Sequence, residues 1–286
     1  MTSESPAPSE LPTGLAIGES PRWHEGRLWF ANWGTQEVVA VDPEGNREVM
    51  ARVPTTIPFS LDWLPGGQLL AVSGPEARLL RQEADGSFVT HADLRSLAGV
   101  FNEFVVDGRG NAYINGGVFD FATGAGAETG VIALVTPDGA VKRAADHINF
   151  GNGMAVTPDN RTLIVAESWA GRLSAFDIAE DGSLSNRRVW ADLGVGAPDG
   201  ICLDAEGAVW YGDVPNRRCV RVREGGEVVQ EVALEQGCFA CTLGDEDGRA
   251  LFMMTADWSG FDEMSGEART GPVLSVPAPM PKAGWP

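Results

Sequence analysis

PDGICLDAEGAVWY, residues 198–211, places one acid, Asp199, just ahead of an apolar run at Ile201 and Leu203. A turn at Asp204, Glu206 and Gly207 follows, then a second apolar run at Val209, Trp210 and Tyr211. This is the pattern of two antiparallel strands joined by a hairpin turn. A buried strand does not ordinarily begin with an acid, so Asp199 requires a partner charge, a metal or water.

The same block recurs. Aligned on the hairpin turn, the residue matching Asp199 is Glu19 in ESPRWHEGRLWF, Ser60 in SLDWLPGGQLLA, Asn102 in NEFVVDGRGNAYI, Asn152 in NGMAVTPDNRTLIV and Phe239 in FACTLGDEDGRALFM. The matched positions are 41, 42, 50, 47 and 40 residues apart, the spacing of four-stranded propeller blades. Helical and leucine-rich repeats fit poorly, because no i, i+3, i+4 stripe runs through the copies. The reading is an all-β, six-bladed β-propeller with four antiparallel strands per blade, forming one domain over residues 1–286. The 50-residue interval contains an insertion, VFDFATGAGAETG at 118–130, expected as a loop at the site mouth. The sixth blade runs one strand short, so Leu11–Ile17 is expected to supply that strand and close the ring, removing exposed edges; residues 1–10 are expected to be flexible.

Composition bounds the partners. The chain has 286 residues, 43% of them hydrophobic, with nine Trp and twelve Phe, enough for a large core. With 40 acidic against 21 basic residues the formal charge is −19, which argues against nucleic acids and anionic membranes and leaves a small-molecule substrate. MTSESPAPSELPTG carries no basic start followed by an apolar stretch, and no run approaches a membrane span, so the expected location is cytoplasmic. Oligomeric state is not legible. Cys238 and Cys241 form a CxxC without a second pair or a nearby His, and small buried strand residues are the better reading of them.

In a propeller the first strand of each blade lines the central channel, so Glu19, Ser60, Asn102, Asn152, Asp199 and Phe239 should surround one axis near one face. Two carboxylates and one or two amides then converge into an oxygen-rich site suited to one hard divalent cation, Ca²⁺ foremost, with Zn²⁺, Mn²⁺, Mg²⁺ or Fe²⁺ as alternatives. Without a cation Glu19 and Asp199 would repel each other in a partly desolvated channel. Any one of these residues alone reads as a polar group facing channel water; in register across six repeats they read as a site. Asp245-Glu246-Asp247-Gly248 resembles a calcium loop but occupies the hairpin-turn position, and is a turn.

ESPRW, NGMAVTPDNRTLIVAES and PDGICLDAEGAVW together resemble the SMP-30/gluconolactonase/regucalcin family of six-bladed propellers, over essentially the whole chain. The resemblance implies metal ligands at Glu19, Asn152 and Asp199, a catalytic acid/base at Asp199, a substrate contact at Asn102, and lactonase activity with calcium or another divalent ion. One departure stands out. Where the family reads Arg-x-Asn-Asp-Gly, this chain has Val100-Phe101-Asn102-Glu103-Phe104, which removes the Arg that would bind sugar hydroxyls and puts a sugar lactone in doubt.

The loops after the second strands should rim the pocket. They hold Trp33, Phe119, Trp169 and Trp258, which with Ser60, Asn102 and Phe239 are the expected substrate contacts and favour an apolar or aromatic substrate. The expected chemistry is metal-assisted hydrolysis of a cyclic ester, with Asp199 activating water and Glu103 as a second candidate for proton transfer. Serine chemistry is disfavoured: there is no G-x-S-x-G, and His24, His91 and His147 lie outside the column. A metal-dependent phosphotriesterase or aryl esterase, and a calcium-binding propeller without turnover, are the alternatives.

Overall fold

A computed structural model of the chain describes residues 7–11, 17–118, 129–257 and 271–286. Blade one comprises Gly18–His24, Arg27–Asn32, Glu37–Val41 and Arg47–Arg52; blade two, Phe59–Trp63, Leu69–Ser73, Arg78–Gln82 and Phe88–Asp93. Blade three is Val100–Val106, Ala112–Gly117, Gly130–Val135 and Val141–Ile148; blade four, Thr162–Glu167, Arg172–Ile178 and Leu184–Asp192 after its first strand Gly151–Val156. Blade five runs Pro198–Asp204, Val209–Asp213, Arg218–Val222 and Val228–Ala233, and blade six Gly237–Gly244, Ala250–Ala256 and Val273–Pro277. Each blade is a separate antiparallel sheet in sequential strand order, which is the six-bladed propeller.

Each strand's composition follows its place in the blade. Second strands such as Leu69–Ser73 and Val209–Asp213 are buried at every residue, because neighbouring blades cover both faces of the sheet, and their sequences are accordingly dominated by apolar residues. Fourth strands such as Arg47–Arg52 and Leu184–Asp192 are mostly exposed at the rim and carry the charge. The core is therefore a ring of clusters between blades, with Phe101, Phe104 and Tyr113 in one and Tyr211 and Trp190 in another. Each fully buried side chain of this size contributes about 1.5–3 kcal/mol. All four cysteines are free and buried, packed together in the cluster between blades five and six. The DEDG segment is the expected turn, with Gly248 at positive φ and its N–H donated to the Asp245 carbonyl.

The N-terminal segment closes the ring, but through Ser9–Leu11, which pairs with Val273–Pro277 as the outer strand of blade six. The closing strand thus shares only Leu11 with the expected Leu11–Ile17; residues 12–16 lie outside the described residues, and Ile17 is buried ahead of blade one. Residues 1–6 of the expected flexible leader also lie outside them, while Ser9 and Glu10 belong to the closing strand. Most of the insertion, residues 119–128, lies outside the described residues as well.

A second closure was not legible in the repeats. Lys282–Ala283 pairs with the inner strand of blade five, and Trp285 exchanges backbone hydrogen bonds with Val156 of blade four at 2.9 and 2.7 Å. The Trp285 ring packs so closely on Gly108 that a Cβ there would stand 2.7 Å from it. This C-terminal segment clamps the far ends of the inner strands of blades four and five, leaving the other end of the channel to the site.

Candidate functional site

The inner strands do not run straight past the channel. In five of the six blades the register between first and second strand slips at the same place: between Glu19 and Arg22, Phe101 and Phe104, Gly151 and Met154, Pro198 and Ile201, and Cys238 and Ala240. Only blade two pairs without interruption there. Residues left out of a ladder by such a bulge are re-aimed, and those residues include Asn102, Asn152, Asp199 and Phe239, with Glu19 at the bulge edge. The bulged strands come very close to one another. A Cβ on Gly153 would stand 2.5 Å from the Ile201 nitrogen and 2.6 Å from the Asp199 carbonyl oxygen, and one on Gly200 would stand 2.5 Å from the Ala240 Cβ. Asn152-Gly153 and Asp199-Gly200 are thus each a cavity-lining side chain followed by the one residue that fits the narrowed axis.

These side chains share one cavity of about 680 Å³, lined by Glu19, Asn102, Asn152 and Asp199 at its polar floor. Trp33, Phe101, Phe150, Trp169, Val214 and Phe239 are among its apolar walls. The Asn102 amide donates to the Asn152 Oδ1 at 3.2 Å, and the Asn115 amide donates to the Asn152 carbonyl, so both ends of Asn152 are positioned from blade three. Burial pushes the Glu19 carboxyl well above its usual range, and the charges of Asp199 and Glu103 push it further. Burial and the Glu103 charge likewise raise Asp199, against the pull of the Gly200 N–H.

That electrostatic conflict is what a cation would relieve. Two carboxylates and an amide oxygen, with no thiol or imidazole on the cavity wall, form a donor set that fits a hard divalent ion. Among the described residues no group of three or more His, Cys, Asp or Glu side chains is arranged to hold a metal; the set here has two acids, its third member being an amide.

The remaining sequence expectations divide. Trp33, Trp169 and Phe239 line the cavity. Phe119 and Trp258 lie outside the described residues. Ser60 is not among the residues that line the cavity: in the blade without a bulge its hydroxyl donates to the Asn102 carbonyl of the neighbouring blade at 2.9 Å. Glu103 is not on the wall either. Its Oε1 accepts from Arg22 Nη2 at 3.1 Å, Ser20 Oγ at 3.0 Å and the Phe104 N–H at 2.9 Å, beneath the floor. None of the three histidines reaches the cavity; His24 stacks on Trp63, ring centres 4.0 Å apart.

Sequence reasoning missed three participants. Arg22, buried under the floor, bonds Glu103, the Phe104 carbonyl at 2.7 Å and the Pro21 carbonyl at 3.1 Å, and lies 3.6 Å from Asp62. It ties the bulges of blades one and three together across blade two. Arg22 and Asp62, an Arg and an Asp within the inner strands of blades one and two, were the available signal. Asn115 is wholly buried, its Oδ1 accepting from the Glu103 N–H at 3.4 Å. Phe150 stacks on Trp169 with ring centres 4.7 Å apart and planes 4° from parallel.

Comparison with known proteins matches residues 17–257 to the family model described as SMP-30/Gluconolactonase/LRE-like region. Regucalcin of Xenopus laevis is 29% identical over 256 residues, 86% of this chain and 85% of that protein. Among solved structures, a calcium-binding protein, regucalcin, from Agrobacterium tumefaciens superposes with a TM-score of 0.76 at 20% identity, covering 97% of this chain and 95% of the other. A gluconolactonase from Xanthomonas campestris gives 0.72 at 20% identity, covering 98% and 97%. No helix among the described residues is long and apolar enough to cross a membrane.

Proposed function

Because the chain belongs to the SMP-30/gluconolactonase/LRE-like family, we propose that it is a divalent-metal-dependent hydrolase of a lactone carrying an apolar or aromatic part. The observation that carries this reading is the joint placement of Glu19, Asn102, Asn152 and Asp199 on the floor of a cavity whose walls are otherwise apolar. Glu19, Asn152 and Asp199 would hold the ion, calcium by preference since regucalcin relatives include a protein described as calcium-binding. When bound, the ion supplies Lewis acidity toward an ester carbonyl and compensates the charge that builds on its oxygen.

The chain's own residues do the rest. Asp199, on the floor of the cavity, accepts the proton of the attacking water at its carboxylate. Asn102 fixes Asn152 and offers its own amide edge to the substrate. Apolar walls exclude bulk water and receive the non-polar part of the substrate. Val100 stands on the wall where the family pattern has an Arg, which supports an apolar substrate over a sugar. Glu103, its Oε1 occupied by three donors, holds Arg22 and is not given the proton.

Protein stripped with a chelator and reloaded with Ca²⁺, Mn²⁺, Zn²⁺ or Fe²⁺ would be assayed on aldonolactones, aromatic lactones, aryl esters and a phosphotriester. The reading requires metal-dependent turnover of an apolar lactone and a 10²–10⁴-fold fall in kcat for Asp199→Asn, the range for a positioned proton acceptor. Turnover indifferent to that substitution overturns the assignment. The relative described as calcium-binding favours a second reading, a calcium-binding propeller without catalysis; tight metal binding with no turnover on any substrate selects it.

A further inference from the structure

Large exposed apolar side chains among the described residues fall into two groups. Val49, Val89, Val189 and Val228 stand singly on the fourth strands of four different blades, at the outer rim, where isolated apolar residues are ordinary. The other three are Val118, Trp169 and Val195, and all belong to loops at the cavity end of blades three, four and five. Val195 at 85% and Val118 at 67% are the two most exposed of the whole set, with Trp169 at 42%.

Their loops are joined to the cavity wall. Trp169 itself lines the cavity, one face stacked on Phe150. The loop that carries Trp169 packs on the loop that carries Val195: the Leu193 N–H is donated to the Gly171 carbonyl at 2.8 Å, and a Cβ on Gly171 would meet the Gly194 carbonyl oxygen at 2.7 Å. The Ser168 hydroxyl is donated to the Pro198 carbonyl at 2.7 Å, beside Asp199. Ala197, two residues after Val195, lines the cavity, as does Val100, whose strand partner Gly117 immediately precedes Val118. Among the described residues, the apolar side chains Val100, Phe150, Ala197 and Trp169 on the wall thus continue to Val118 and Val195 outside it.

We propose that this path is a subsite for a linear alkyl or arylalkyl arm of the substrate, which leaves the cavity across Trp169 and lies between Val195 and Val118. The substrate class is then an amphiphilic lactone, its polar ring on the Asp199 floor and its chain on the rim. The identity of the head group rests on the lactone reading above; the path for the arm does not.

Isothermal titration tests the two separately, using γ-alkyl lactams with side chains from methyl to octyl, which keep the ring and carbonyl but have an amide in place of the ester, and n-alkanols of the same chain lengths, which have no carbonyl. In the wild-type protein Kd falls about two- to fourfold per methylene, the upper figure being full burial, and the fall continues into the longest chains. The double variant Val118→Ser/Val195→Ser removes most of the gain contributed by the outer methylenes in both series; both positions are at the surface, where such changes leave the fold intact. A gain that stops at propyl in the wild type, or long-chain gains that survive the double variant, overturn the subsite. If instead lactams bind no better than alkanols while the chain-length gradient holds in both, the lactone head fails and the arm stands.

Discussion

Gly153→Ala places a methyl group where the inner strands of blades four and five touch. The new Cβ would lie 2.5 Å from the Ile201 nitrogen, 2.6 Å from the Asp199 carbonyl oxygen and 2.8 Å from the Gly200 Cα. All three are backbone atoms, so no side chain can swing aside. Restoring ordinary contact requires the two strands to separate by about 1 Å, and Asn152 and Asp199 sit on opposite sides of that seam. Overpacking of this kind destabilises by about 1–3 kcal/mol, which urea denaturation reads as a lower midpoint at unchanged slope. The larger effect is on the site: displacing catalytic groups by about 1 Å costs roughly 100-fold in rate. Steady-state assay on the preferred lactone should show that loss mainly in kcat, and calcium titration a matching loss of affinity. If Gly153→Ala keeps kcat and calcium affinity within twofold of wild type, the close seam does not set the spacing between Asn152 and Asp199.

Other outcomes follow from the same structure. Arg22→Met leaves the Glu103 and Asp62 carboxylates buried without their cation, a loss of about 3–5 kcal/mol; Glu103→Gln added to it should recover part of that loss, measured by urea unfolding at pH 7. In chelator, stability should fall with rising pH: Glu19 and Asp199 hold protons more tightly folded than unfolded. The stability they contribute is complete below about pH 4, the ordinary carboxylate range, and is lost as pH rises through their raised values. Millimolar Ca²⁺ should flatten that decline in thermal melts at pH 5 and pH 8, and an unchanged slope would contradict the placement of the ion between these acids. Trp285→Ala removes the half-buried ring packed on Gly108 and should lower stability by about 2 kcal/mol while leaving calcium affinity unaltered, since the clamp lies at the far end of the channel.

The six-fold repeat was legible because each hairpin turn marks its place and each inner strand begins at the same offset, so Glu19, Asn152 and Asp199 could be aligned without coordinates. Their convergence follows from closing the ring. The bulges were only half legible: Asn152-Gly153 and Asp199-Gly200 hint at them, but a glycine after a polar residue is also a turn, and only the approach of neighbouring strands tells the two apart. The position of Glu103 was not legible, because its column neighbour Asn102 lines the cavity while the Glu103 side chain, within the same bulge, meets Arg22. The position of Ser60 was not legible for the opposite reason, since its blade has no bulge. The C-terminal clamp lies outside the repeat, in a segment with no strand pattern of its own, and Trp285 is held by backbone bonds that any sequence could make. Asn115 sits mid-strand in NAYING, and nothing in its spacing separates it from an ordinary buried amide.

Anomalous diffraction from crystals soaked in Mn²⁺ tests the central claim most directly, because manganese takes the oxygen ligands that calcium takes and reports its own position. A single strong peak within bonding distance of the Glu19 and Asp199 carboxylates and the Asn152 amide oxygen is the expected result. No peak there at millimolar metal, or a peak bound elsewhere while Glu19 and Asp199 share a proton, would contradict it.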